Sequence, residues 1–394
     1  MSMDPRTIAI ETFTKRFGKT PAYLVVGPGR VNTLGEHVDY NDGFVLPAAI
    51  DRATWLAFSP SKNGNNTLVA ADFGEESIFT ESGVVAKQAL DGTPLPEWTR
   101  YPAGMAWALN QQGVQTPAMQ AVFSSDIPRG SGLSSSASIE MAFGVAWSTL
   151  GGWSLSSIDM AVLGQKAENQ YVGVSCGIMD QFASACGVQD RLLLLDCRSL
   201  EWQPLPIPED IAIVIADTTI RRKLTSSGYN ERRQACEEAV RILSDDLPGI
   251  KALRDVSPED FNRLAHRLSP LVEKRARHVV EEIERSQQAI PLLKRGDVSA
   301  FGQIMNDCHR SLRDLYEVSI DELNIMTEIA QGIPGCLGAR LTGAGFGGCT
   351  VNLVKMDAVD VFSKALKTGY QERTKLIPNI YVCKASDGAH LVSE

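Results

Sequence analysis

Two periods organise the apolar residues of this chain. Short runs bounded by glycine, proline or polar turns read as strands, and apolar residues recurring every three or four positions read as helices. Tyr23 to Val26, Val45 to Ser59, Thr67 to Ala71 and Met119 to Ser125 are predicted strands. The Gly/Asn-rich turn from Ser61 to Asn66 predicts that the strands on either side of it form a hairpin. Trp98 to Leu109, Ile139 to Leu150 and Ser157 to Val172 are predicted helices, the last with Ile158, Ala161, Val162 and Ala167 at helical spacing. Leu192 to Leu195 and Ile211 to Ala216 are apolar enough for buried strands. The second half is richer in helices: Tyr229 to Leu243, Val272 to Ala289, Ser299 to Leu315 and Ile320 to Gly332. Strands at Leu337 to Leu341 and Thr350 to Val354, a helix at Asp357 to Thr368 and a strand at Ile380 to Lys384 complete the pattern. The shift in character falls near residues 197–210, where Pro204, Pro206 and Pro208 mark a boundary.

At 394 residues, with 44% hydrophobic and 22% charged positions, the composition is that of a globular protein large enough for two domains. The longest purely apolar run, Ile211 to Ala216, is far too short to span a bilayer. The first residues show no secretory signal, so the expected compartment is the cytoplasm. A formal net charge of −9 disfavours a nucleic-acid partner. An anionic nucleotide would then need a local cationic device, such as a metal ion or a helix start. The eight cysteines form no Cys-x-x-Cys pair and read as reduced thiols rather than a zinc site.

Two patterns mislead. Gly343-Ala344-Gly345-Phe346-Gly347-Gly348 fits the dinucleotide fingerprint, but a strand-like run follows it where a helix is needed. Asp72-Phe73-Gly74 mimics a protein-kinase metal motif without the catalytic loop that accompanies it.

The stretch Pro128-Arg129-Gly130-Ser131-Gly132-Leu133-Ser134-Ser135-Ser136-Ala137 is the strongest chemical signal. Gly130 and Gly132 let the backbone turn sharply and approach a ligand closely. The serines fall where a helix begins, and a helix start offers free N–H groups and the positive end of a dipole to phosphate. An earlier loop, Gly27 to Gly43, packs Arg30, Glu36, His37 and Asp39 between glycines. Carboxylates and an imidazole in a tight loop suit the directional gripping of sugar hydroxyls. A further cluster holds Glu168 on a helix and Asp180 after a turn-prone stretch. From its neighbours alone, Asp180 is either a buried acceptor or a catalytic base, and Glu168 on a helical face would ordinarily be solvated.

Taken together these segments resemble the GHMP kinases, and within them the branch specific for galactose. The resemblance rests on Gly29 to Tyr40 (Gly-Arg-Val-Asn-x-x-Gly-Glu-His-x-Asp-Tyr), Pro128 to Ala137, Cys176 to Gln181 (Cys-Gly-Ile-Met-Asp-Gln), Ser227 to Arg233 and Leu341 to Gly348. It covers nearly the whole chain in the family's order. It implies an α/β fold of α+β type in two GHMP-kinase-like domains, 1–200 and 201–394, with the active site in the cleft between them. It implies ATP-dependent phosphorylation of galactose at the anomeric hydroxyl with Mg²⁺. Asp180 would be the catalytic base and Arg30 its cationic partner. Glu36, His37, Val38, Asp39, Gly177 and Tyr229 would bind the sugar. Gly130, Ser131, Gly132, Leu133, Ser134, Ser135 and Ser136 would hold the phosphates, with Trp98 near the adenine. Ser136 and Glu168 would ligate magnesium. The implied partners are these small molecules alone, with no membrane and no nucleic acid, and the chain is read as a monomer. Val38 stands where the family usually has threonine, and Thr33 where an apolar residue is usual. The alternatives are a related kinase for N-acetylgalactosamine, arabinose or a uronic acid, or a non-catalytic sugar sensor. The intact serine loop and Asp180 weigh against the sensor.

Overall fold

The computed structural model describes residues 4–221 and 225–393. The chain opens with α1 (Pro5–Phe17), β1 (Tyr23–Asn32), β2 (Phe44–Val45), β3 (Pro47–Pro60), β4 (Asn66–Ala70) and β5 (Glu75–Phe79). Then come α2 (Glu81–Ala86), α3 (Arg100–Gln111), β6 (Met119–Ser125), α4 (Ser135–Gly151) and α5 (Ser157–Lys166). A π-helical turn over Ala167–Val172 leads to α6 (Met179–Cys186), β7 (Arg191–Asp196), β8 (Trp202–Pro206) and β9 (Ile211–Asp217). A helical stretch follows, with α7 (Thr225–Leu243), α8 (Pro258–Leu264), α9 (Pro270–Lys294), α10 (Val298–Asp314) and α11 (Asp321–Gly332). The last elements are β10 (Cys336–Thr342), β11 (Cys349–Lys355), α12 (Val359–Thr374), β12 (Asn379–Cys383) and β13 (His390–Leu391).

The first sheet has the order β13-β1-β3-β6-β4-β5 and carries helices on both faces. Side chains alternate across a strand. Ala57 and Val122 therefore meet Ala9 and Phe13 of α1, while Leu56, Phe58, Ala121 and Phe123 face the larger core that includes Met141, Ala142 and Phe143 of α4. The same alternation splits β9 in the sheet β10-β11-β9-β12. Ala212, Val214 and Ala216 pack on Phe362, Leu366 and Tyr370 of α12, and Ile213 and Ile215 join the larger core. No helix among the described residues is long and apolar enough to cross a membrane.

One expectation from the chain's patterning fails. β3 and β4 do not form a hairpin, because β6 lies between them, antiparallel to β3 and parallel to β4. The Ser61–Asn66 turn reverses the chain, but turn chemistry does not decide which strand fills the adjacent place. Asn66 fastens the insertion, accepting the Met119 N–H on its side-chain oxygen at 3.0 Å. The proline-marked stretch is also partly structured: β8 pairs with β7 at the edge of a small sheet, where Pro204 and Pro206 cost few ladder bonds.

Contacts between early and late residues join the first sheet to the end of the described chain. β13 pairs with β1, Ile50 bridges to Ala385, and Thr342 at the end of β10 accepts the Asn32 N–H at 3.0 Å. The Gly343–Gly348 stretch joins antiparallel β10 and β11, so it is a strand–loop–strand as the pattern predicts.

Candidate active site

β1, the turn after it, the loop before α4 and the start of α6 converge on one cleft of about 540 Å³. Arg30 projects from β1 and is only 4% exposed. Its Nε donates to Asp180 Oδ1 at 2.8 Å, its Nη2 lies 2.5 Å from the same oxygen, and its Nη1 donates to the Gly132 carbonyl at 2.5 Å. One guanidinium thus ties the base candidate to the glycine loop. Asp180 sits in the first turn of α6 with its side chain 29% exposed, so it reaches the cleft while held from below. Its other oxygen accepts the Ser134 hydroxyl.

Ser134 precedes α4 with φ of 59°, a left-handed conformation unusual for a residue with a Cβ. Its hydroxyl is spent on Asp180 and does not cap the helix. The first amides of α4 are thereby left without a side-chain partner at the cleft, where Ser135 and Ser136 form the wall. This is a place where an anion finds donors and a favourable dipole. Gly130 and Gly132 take φ of 64° and 87°, which the tight approach of the loop requires. Leu133 also lines the cleft. Ser131 does not, because its side chain is buried and donates to the Pro128 carbonyl at 2.6 Å.

Glu168, in the π-helical turn after α5, faces inward on the same side as Ala161 and Gly164 of α5, against the expectation of a solvated helical face. It is 7% exposed and accepts from Gln181 Nε2 at 2.6 Å and from the Ser136 hydroxyl. Burial, with the nearby Asp180 charge, pushes its carboxyl up to about 7. Gln181 bridges to Glu140, which is fully buried and whose carboxyl burial pushes well above the ordinary range.

The opposite wall is polar and aromatic. Glu36 pairs with the fully buried Arg340 and accepts the Gly343 N–H at 3.1 Å. His37, with φ of 62°, sits among Tyr40, Tyr229 and Tyr316, and its Nδ1 lies 3.0 Å from the Tyr40 hydroxyl. Burial lowers the His37 pKa well below its usual value and raises that of Tyr229 well above, so both are neutral near pH 7. Asp39 is pushed up to about 7, by burial first and then by the charges of Asp180 and Glu36. Gly177 packs so closely on the Asp39 carboxylate that a Cβ there would overlap it. Val38 departs from the rest: its side chain is fully buried against Gly43 and does not line the cleft. Ser227 belongs to a motif matched in sequence but lies outside the described side chains.

A second cavity of about 910 Å³ adjoins the first, sharing Tyr101, Gly130, Ser135 and Ser136. Trp98 lines it, donating from Nε1 to Glu75 at 2.7 Å. Tyr101 and Arg221, which no sequence motif covers, also line the main cleft, as do Asn230 and Ala344 from two of the matched motifs. Arg221 is held by two bonds to Asp217, at 2.7 and 2.9 Å, and approaches Gly130. Its position just past β9 was the available signal. Among the described residues no cluster of three or more His, Cys, Asp or Glu could hold a metal ion.

Comparison with known proteins agrees with this arrangement. The galactokinase galactose-binding signature matches residues 11–60, the GHMP kinases N terminal domain 100–188 and the GHMP kinases C terminal domain 289–371. A galactokinase of Roseiflexus sp. (strain RS-1) is 43% identical over 384 residues, covering 98% of this chain and 96% of the relative. One from Actinobacillus succinogenes is 41% identical over 393 residues, covering 98% and 100%. The crystal structure of Lactococcus lactis galactokinase complexed with galactose superposes with a TM-score of 0.91 at 36% identity, covering 96% of this chain and 98% of that one. A mevalonate kinase structure, at 18% identity and a TM-score of 0.61, shares the fold alone. With the galactose-binding signature lying on the loop that carries Arg30, Glu36, His37 and Asp39, and with full-length likeness on both measures, the chain belongs to the galactokinase family of GHMP kinases.

Proposed function

We propose that this chain transfers the γ-phosphoryl group of ATP to the anomeric hydroxyl of galactose. The observation that carries the reading is the placement of Asp180, clamped by Arg30 and Ser134 where the serine-rich helix start meets the Glu36-His37-Asp39 loop. The likeness to galactose-bound L. lactis galactokinase supports galactose as the sugar. In this reading the halves of the chain on either side of residue 200 act as its two domains.

Phosphoryl transfer depends on positioning and on stabilising charge. Glu36, His37, Asp39 and Tyr229 would hold the sugar, with Gly177 leaving room for the Asp39 carboxylate. Asp180 would accept the proton of the attacking hydroxyl, and Arg30 would stabilise negative charge beside it. The backbone of Gly130 to Ser136 would cradle the phosphates, and the cavity beside Trp98 would take the adenine. Ser136 and Glu168 fit a magnesium ion, which takes few protein oxygens and keeps several waters. The buried Glu168 carboxyl, bonded to Ser136 and raised by Asp180, is a site where added positive charge is favourable. When bound, the ion would neutralise charge on the phosphate oxygens.

The test is turnover with ATP and Mg²⁺ over galactose, glucose, N-acetylgalactosamine and arabinose, for wild type and Asp180→Asn. Asparagine keeps the shape but cannot take the proton. We expect galactose to have the highest kcat/KM and the variant to lose ~10²–10⁴-fold in kcat while still binding both substrates. A better substrate among the other sugars would refute galactose. Retention of more than about a tenth of kcat would refute Asp180 as the base.

A further inference from the structure

The sugar loop is gripped from behind by a helix that the sequence motifs leave out. α9 presents mostly apolar side chains to the core, among them Ala276, Val279, Val280 and Ile283. One turn apart, His278 and Glu282 interrupt that face, and both are fully buried. Burying such groups is costly unless each finds partners. Their partners are backbone atoms of the sugar loop. Glu282 Oε1 accepts the Gly35 N–H at 2.8 Å, and His278 Nε2 lies 3.2 Å from the Glu36 carbonyl oxygen.

The remaining atoms fix both side chains in place. Glu282 also accepts from Cys308 Sγ at 3.0 Å and from Arg285 Nε at 2.7 Å. His278 Nδ1 lies 2.8 Å from the Ser311 hydroxyl. Burial pushes His278 down to about 4, so the ring is neutral and carries one N–H. A carbonyl only accepts, so that N–H sits on Nε2, and Nδ1 accepts from Ser311. Gly35, with φ of 82°, and the Glu36 carbonyl have no strand or helix ladder to satisfy them. These two peptide groups immediately precede His37, itself held in a left-handed conformation.

We propose that His278 and Glu282 are positioning residues for the sugar site, setting the conformation of the Gly35–Glu36–His37 backbone from the far side of the cleft wall. The inference rests on the galactose reading above. Sugar affinity then depends on two side chains that touch no substrate, and ATP affinity does not.

The test compares His278→Phe, His278→Gln and Glu282→Gln with wild type. Phenylalanine keeps the ring without the N–H, while the glutamine Nε2 can reach the place of the histidine Nε2. Glu282→Gln keeps an acceptor for Gly35 without the charge that strengthens it. Steady-state kinetics in both substrates is paired with calorimetric titration of galactose in the absence of ATP. We expect His278→Phe to raise the galactose KM and dissociation constant about tenfold, as for a buried carbonyl left unpaired. The ATP KM should stay within about twofold, and His278→Gln should recover most of the loss. Glu282→Gln should weaken galactose about threefold, as a charge-assisted bond becomes a neutral one. If His278→Phe does not fold, Glu282→Gln decides. Unchanged galactose affinity in the folded variants, or equal rises in both KM values, would overturn the proposal while galactose turnover by wild type stands. Absence of galactose turnover in wild type would overturn the activity reading, and this inference with it.

Discussion

Asp39 gives a prediction in which the direction of a pH effect can be worked out beforehand. Its carboxyl is pushed up to about 7 by burial, with Asp180 and Glu36 adding to the shift. An unfolded chain would release that proton near ~3.9. The fold therefore binds the proton more tightly than the unfolded chain does. The stability this contributes is complete below about pH 3.9 and is lost as pH rises through about 7. By pH 5.5 about half of the gap has been crossed, leaving ~1.5 units, or ~2 kcal/mol, still to be lost by pH 8. Asp39 is only partly buried and faces a solvated cleft, so screening reduces this to about 1 kcal/mol. Asp39→Asn has no charge to acquire. The wild type should therefore lose about 1 kcal/mol relative to the variant between pH 5.5 and 8, roughly 1–2 °C for a chain of this size. The assay is thermal unfolding of both proteins without ligands, at four pH values and one ionic strength. Comparing the pair removes the titration of other groups. A difference in Tm that stays flat, or that moves to favour wild type as pH rises, would refute the reasoning.

Two further outcomes follow from the cleft. Gly177→Ala would force the Asp39 carboxylate to move, and such overpacking typically costs ~1–3 kcal/mol. Galactose kcat/KM should fall about tenfold with the ATP KM within twofold, and an unchanged sugar KM would show that the carboxylate has room. Glu168→Gln should raise the half-saturating Mg²⁺ concentration at fixed ATP several-fold, since a neutral amide is a poorer ligand. A superimposable Mg²⁺ titration would return Glu168 to a structural role.

Most of the cleft was legible because its chemistry is concentrated in contiguous segments. Gly29 to Asp39, Gly130 to Ser136 and Cys176 to Asp180 each supply several lining groups from a few residues, so their spacing carries the signal. What could not be read lies where single side chains arrive from distant elements. Arg340, 304 positions from Glu36 in sequence, and His278 on α9 look locally like an ordinary strand cation and an ordinary helix residue. Val38 was grouped with its neighbours in the sugar loop. A side chain's direction within a loop depends on backbone angles that motif spacing does not encode. Glu168 is a different case: it continues the helical spacing of the buried Ala161 and Gly164, and only its charge made a solvated face the expectation. Strand order failed for a related reason, since the wedge of β6 between β3 and β4 is decided by long-range pairing.

The pairing of β13 with β1 has a consequence for biogenesis. β1 carries Arg30, and on one side it bonds to β3. At Val25 and Val26 its other edge pairs with Leu391 and His390, with the Val392 amide donating to Leu24 at 2.8 Å. β1 leaves the ribosome long before β13 does. Throughout that interval, this stretch of the nascent first sheet presents bare backbone donors and acceptors, an adhesive surface for other chains. Trimming residues 386–393 should therefore harm soluble yield in cells well beyond its effect on the equilibrium stability of molecules that have already folded.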